Sequence, residues 1–172
     1  PQVVDMFGRT GAGPGEFLYP RAIDLEAEAV LVADKTGRIQ RLARDGRHLA
    51  TVEMPLAEAG MPTGVSVHPD GRLFVADTHY HRVAIFSPDG RLIGAFGTYG
   101  EGEGQFIYPT DVAFCPDGRV FVSEYGGNDR VSAFTSDGDF LFSFGSPGDG
   151  EGQFARPAAL CIDAARGRLY VA

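Results

Sequence analysis

Apolar residues in this chain alternate with polar ones over short runs, and the runs end at turn signals. The clearest are VLVAD (30–34), RLFVAD (72–77), RVFVSE (119–124) and RLYVA (168–172), each a half-buried or buried strand by its period of two. Before each lies a shorter strand whose apolar positions come three and five residues after a proline: Ile23 and Leu25, Val65 and Val67, Val112 and Phe114, Leu160 and Ile162. HPDG (68–71) and CPDG (115–118) join two of these pairs, with proline and glycine placed where a tight reversal needs a preset φ and then a positive one. A third strand follows in RIQRLA (38–43), RVAIFS (82–87) and RVSAFT (130–135). After a second turn, RDG (44–46), PDG (88–90) or SDG (136–138), comes a fourth: HLATV (48–52), RLIGAFG (91–97) and FLFSFG (140–145). No stretch sustains a 3.6-residue apolar period, so essentially no helix is expected.

The connections between these groups repeat as well. FGRTGAGPGEFLYP (7–20) returns as FGTYGEGEGQFIYP (96–109) and FGSPGDGEGQFARP (144–157) without a gap. Gly8, Gly11, Gly13 and Gly15 match Gly97, Gly100, Gly102 and Gly104, then Gly145, Gly148, Gly150 and Gly152; Phe17, Phe106 and Phe154 hold register, as do Pro20, Pro109 and Pro157. A further copy begins at Pro62 without the glycines, after EMPLAEAGMP (53–62). A four-strand antiparallel meander at a spacing of 42, 47 and 48 residues between prolines is the period of a propeller blade. The expected fold is therefore all-β, a β-propeller of four-stranded antiparallel blades. It divides into an outer strand, VVDMFG (3–8), with its joint (1–19), blades at 20–61, 62–108 and 109–156, and half of another at 157–172.

The pattern GxGxF…P, apolar strand, DG, φxVxD, polar loop, RV, aromatic and DG resembles the NHL repeat, over almost the whole chain. That resemblance implies a propeller, commonly of six blades, in a family that includes protein-binding and RNA-binding domains, sensor domains of receptors and a few lyases with channel histidines and zinc. The absence of Trp separates the chain from the related WD repeat. About three and a half blades are present, which reads as an incomplete propeller or a fragment, and self-association through its unclosed blade edges is expected.

In such a meander both DG turns of a blade lie on one face, and the loops between second and third strands share the other with the glycine joints. The second face carries DTHYHR (77–82) and EYGGNDR (124–130), which makes it the expected binding surface. Candidate partner contacts are His79, Tyr80, His81, Tyr99, Tyr125 and Asn128, with the tyrosines suited to anchoring an interface. The pairs Asp34 and Arg38, Asp77 and Arg82, and Glu124 and Arg130 occur once per blade, which marks them as scaffold chemistry rather than catalysis.

The remaining chemistry narrows the classes. A net charge of −8 disfavours polyanions, so nucleic acid is the weakest of the partner classes. The HxH of His79 and His81 offers two ligands where a metal site needs three or four, and Glu101, Glu103 and Asp149 are replaced by Ala12 and Pro14 in the first joint, so neither metal nor any other cofactor is assigned. The joint lacks the lysine and the following helix of a phosphate loop, and no serine sits in GxSxG. Cys115 and Cys161 read as two buried single thiols. No signal peptide or membrane span occurs in this stretch, which leaves the compartment open. The leading expectation is a non-catalytic scaffold for a protein or peptide, with no catalytic residue assigned. A channel-sited enzyme or small-ligand binder is the alternative, in which only His68 lies near an inner strand; RNA binding comes third.

Overall fold

A computed structural model describes residues 5–55 and 61–172. Within the first joint, β1 (Arg9–Thr10) pairs in parallel with β2 (Glu16–Phe17). The first blade is β3 (Pro20–Leu25), β4 (Ala29–Asp34), β5 (Arg38–Ala43) and β6 (His48–Glu53). The second is β7 (Pro62–Val67), β8 (Leu73–Asp77), β9 (Arg82–Phe86) and β10 (Leu92–Phe96), with a 3-10 turn at Thr78–Tyr80 after β8. The third is β11 (Tyr108–Phe114), β12 (Val120–Tyr125), β13 (Arg130–Phe134) and β14 (Phe140–Phe144). A two-stranded sheet of β15 (Leu160–Asp163) and β16 (Arg168–Val171) follows. Each blade is a sequential antiparallel meander, so the described residues form an open propeller arc. No helix among them is long and apolar enough to cross a membrane.

The alternation of side chains explains how neighbouring blades hold together. Successive residues of a strand point to opposite faces, and in the second blade both faces are covered. From β4 and β5, Leu31, Ala33 and Ile39 meet Val65, Leu73 and Val75 of the second blade. The second blade turns Phe74, Ala76, Val83 and Ile85 the other way, against Phe106, Val112, Val120 and Phe134. The third presents Phe121, Val131 and Ala133 to Leu160, Ile162 and Leu169. Phe74, Phe106 and Phe134 are fully buried, and burying a side chain of that size stabilises by about 1.5–3 kcal/mol.

Two local devices set strand ends. In the DG turns, the glycine N–H donates back three residues, from Gly71 to His68, Gly90 to Ser87 and Gly118 to Cys115, at 2.8, 2.8 and 3.0 Å. The proline at the start of each inner strand lacks an N–H, and pairing with the second strand slips by one residue just after Pro20, Pro62 and Pro109.

One expectation falls partly outside the described residues, and another needs correction. The outer strand expected at 3–8 lies partly outside the described residues, at 3 and 4, and Asp5–Gly8 carry no strand assignment. The two thiols are not both buried: Cys115 is half-buried, whereas Cys161 is exposed on β15. The joint EMPLAEAGMP lies partly outside the described residues, at 56–60.

Candidate functional site

In the first and third blades the loop face rests on a clamp between the glycine joint and the loop after the second strand. In the third blade, Glu124 is fully buried; its Oε1 accepts from Arg130 Nε at 2.7 Å, while Oε2 accepts from the Ile107 N–H at 2.7 Å and from Asn128 Nδ2 at 3.0 Å. Arg130 then donates to the carbonyls of Glu101, Gly102 and Gln105 at 2.9, 3.1 and 3.0 Å. One buried ion pair thus ties loop and joint together, with donors and acceptors both satisfied. The first blade repeats this with Asp34 and Arg38 (2.6 Å), the Leu18 N–H on Asp34 (3.2 Å), and Arg38 on the carbonyls of Ala12 and Glu16. Burial works to raise the Asp34 pKa, but bonds from Thr36, Arg38 and Leu18 outweigh it and hold the carboxyl below its usual range. In the second blade Asp77 pairs with Arg82 at 2.8 Å, yet burial prevails and its pKa is raised.

Within the joints, Phe17, Phe106 and Phe154 pack on Gly8, Gly97 and Gly145 so closely that a Cβ there would lie 2.6, 2.4 and 2.3 Å from the ring. A side chain not singled out above completes the joint: Glu16, Gln105 and Gln153 accept from the N–H groups of Gly13, Gly102 and Gly150 at 2.9, 3.0 and 3.0 Å. Their signal was an acid or amide always one residue ahead of the phenylalanine. Pro157, like Pro109, is buried, and Pro20 is exposed.

On this frame lies a run of aromatic rings. Tyr99 meets His81 at 4.8 Å, His81 meets Tyr108 at 5.5 Å, and Tyr108 stacks on Tyr125 at 5.3 Å and 28°. His79 stands edge-on to Tyr108 at 5.9 Å, and the Arg156 guanidinium covers Tyr125 at 4.7 Å. His81 takes a left-handed backbone, φ 55°, with Nδ1 against the Ile107 carbonyl. Arg156 is also left-handed, and its N–H donates to Asp129 at 3.2 Å. Four of the six candidate contacts, His79, His81, Tyr99 and Tyr125, therefore meet in one row. Tyr80 lies beneath Arg82, at 5.4 Å, and the Asn128 side chain turns inward to Glu124. Tyr108 and Arg156 were not anticipated; both occupy the position just before the joint proline, where Tyr19 stands in the first joint and where the glycines and phenylalanine around them drew the attention.

Concave surfaces lie elsewhere. A hollow of about 270 Å³ runs along the inner strands, lined by Asp24, Thr63, Ser66 and Asp111. Asp24 accepts from the Val67 N–H at 2.7 Å and Asp111 from the Leu160 N–H at 2.8 Å, so each carboxylate bridges inner strands of different blades. Burial, aided by the negative charge of Asp24, pushes Asp111 up to about 6 despite those bonds. His68 is not part of that hollow. It pairs with Asp70 at 2.8 Å, packs edge-on to Phe114 at 4.9 Å and lines a cavity of about 500 Å³ on the DG-turn side, with Arg41 and Glu26. No group of three or more His, Cys, Asp or Glu that could hold a metal occurs among the described residues.

Comparison with known proteins gives the architecture its relatives. The NHL repeat family matches residues 60–86. Protein brain tumor of Drosophila melanogaster is 39% identical over 64 residues, covering 37% of this chain and 6% of that protein. Among solved structures, streptogramin B lyase superposes with a TM-score of 0.68 at 19% identity, over 88% of this chain and 47% of its own. A catalytically inactive virginiamycin B lyase from Staphylococcus aureus, with quinupristin, has a TM-score of 0.68 at 17% identity, over 89% and 48%. A protein of unknown function from Bacteroides thetaiotaomicron reaches 0.71 at 17%, over 88% and 44%. The chain thus spans about half the length of these solved chains and a small part of the fly protein. At such identities the solved structures carry the fold alone. Repeated four-stranded blades and glycine joints give the chain a β-propeller arc, and within it residues 60–86, which fall mostly in the second blade, are similar to the NHL repeat.

Proposed function

We propose that this propeller segment is a non-catalytic recognition scaffold whose loop face receives a protein or peptide. The observation that carries the reading is the row from Tyr99 through His81 and Tyr108 to Tyr125, in which Tyr99, His81 and Tyr125 do not repeat from blade to blade and only Tyr108 has a counterpart, Tyr19 in the first joint. Scaffold chemistry recurs in each blade, whereas Tyr99, His81 and Tyr125 are placed on it once. Tyrosine and histidine offer a flat apolar face with a polar edge, which suits contact with a solvated partner.

Panning a peptide display library on the immobilised chain tests this, with Tyr99→Ala/Tyr125→Ala as the comparison surface. Clones enriched on the unaltered chain should fail to bind the variant. Equal recovery on both surfaces would defeat the reading.

A channel-sited enzyme or small-ligand binder has one observation in its favour, the raised pKa of Asp111 among the inner strands. That carboxylate is engaged by the Leu160 N–H, and none of the four histidines lines the hollow. RNA binding is opposed by the net charge of −8 and by the pairing of Arg38, Arg82 and Arg130 with buried acids.

A further inference from the structure

Tyrosines on the loop face share a habit: a cation from the same chain lies over the ring. Lys35 covers Tyr19 at 5.2 Å, Arg82 covers Tyr80 at 5.4 Å and Arg156 covers Tyr125 at 4.7 Å. Tyr108 is enclosed between the histidines and Tyr125. Tyr99 is different. It is 68% exposed, touches His81 on one side, and among the described residues no Lys or Arg lies over it.

The charges that follow Tyr99 in sequence are of the sign that would hold a cation. Glu101 and Glu103, two and four residues on in the same joint, are exposed, and neither carboxylate has an ion pair among the described residues. The nearby Arg130 is already neutralised by Glu124 at 2.7 Å. An aromatic face with flanking carboxylates attracts Lys or Arg through the ring quadrupole and the Coulomb field together. Resting on the recognition reading above, we propose that Tyr99, backed by His81 and flanked by Glu101 and Glu103, takes a Lys or Arg side chain of an extended peptide from the partner.

The test is fluorescence anisotropy with fluorescein-labelled (Gly-Arg)5 and (Gly-Lys)5 as probes and (Gly-Gln)5 as the neutral comparison. The basic probes should bind, and (Gly-Gln)5 should not. Tyr99→Ala should weaken binding about tenfold, the loss of one partly desolvated cation–π contact, and Tyr99→Phe should largely restore it. Glu101→Gln/Glu103→Gln should weaken it further and flatten its salt dependence. Tyr170→Ala, on the exposed side of β16, should change nothing. Equal binding by the Tyr99→Ala chain, or by (Gly-Gln)5, would overturn the cation slot. Tighter binding of labelled oligouridylate than of either basic peptide would overturn it in favour of a nucleic-acid surface. If display clones still depend on Tyr125 while basic probes ignore Tyr99, the slot fails and the recognition face stands; if neither depends on these rings, both fail.

Discussion

Asp111 shows how one residue's surroundings become a property of the protein. In an unfolded chain its carboxyl titrates near 3.9; in the folded one burial and the Asp24 charge move it to about 6. The raised value means that the native state resists ionisation. Its contribution to stability is greatest below about pH 4, falls as pH rises towards 6 and stays lost above, a swing of about 3 kcal/mol at most. Asp111→Asn removes the charge and keeps one carbonyl oxygen for the Leu160 N–H. Urea midpoints of the two chains should therefore converge near pH 4, with the variant the more stable at pH 7; parallel curves across that range would refute the account. Neither this carboxylate nor Tyr108 stands out in the sequence, for related reasons. An aspartate on an inner strand acquires its neighbours only when three blades converge, and Tyr108 hides in a joint whose repeated residues explain everything around it. Loop spelling also leaves open which way a side chain turns, so Asn128 read as an outward contact although Glu124 draws it in.

At the scale of the element, most of the architecture was readable because each strand type has its own signal. Alternation marks β4, β8 and β12, Asp-Gly closes the turns ahead of β8 and β12, and proline opens the inner strands. The joint combines two constraints that a pair of substitutions can separate. Gly97 has φ 92° and a Cβ there would meet the Phe106 ring at 2.4 Å; Gly118, in a DG turn, has φ 91° and open space. Gly118→Ala should cost about 1 kcal/mol, the backbone penalty alone. Gly97→Ala should cost at least about 3 kcal/mol, because strain and overlap with a buried ring add. Urea denaturation of both variants measures the difference, and equal losses would show that the glycine serves backbone geometry without serving the phenylalanine.

For the whole molecule, the same side-chain positions are buried in one blade and bare in another. Val65 and Val112, three residues after their prolines, are 2% and 1% exposed because each packs on the preceding blade. Ile23 holds the equivalent position in the first blade and is 67% exposed, with Leu25 at 56%. On the opposite flank Tyr170 is 50% exposed and Cys161 lies beside it in the sheet register. Each such apolar group contributes about 1.5–3 kcal/mol when covered, so two flanks that fit neighbouring blades are fit to meet each other. As a separate polypeptide the chain should therefore self-associate head to tail, the half-formed sheet of one copy against the first blade of the next. Light scattering at micromolar concentration, under reducing conditions because the Cys161 thiol is exposed, should give a mass of two copies or more. Ile23→Glu/Leu25→Glu should return the monomer with its fold intact, since both side chains already face solvent within one copy. A monomeric mass for the unaltered chain would contradict the contact, and association that survives both substitutions would place it on another surface.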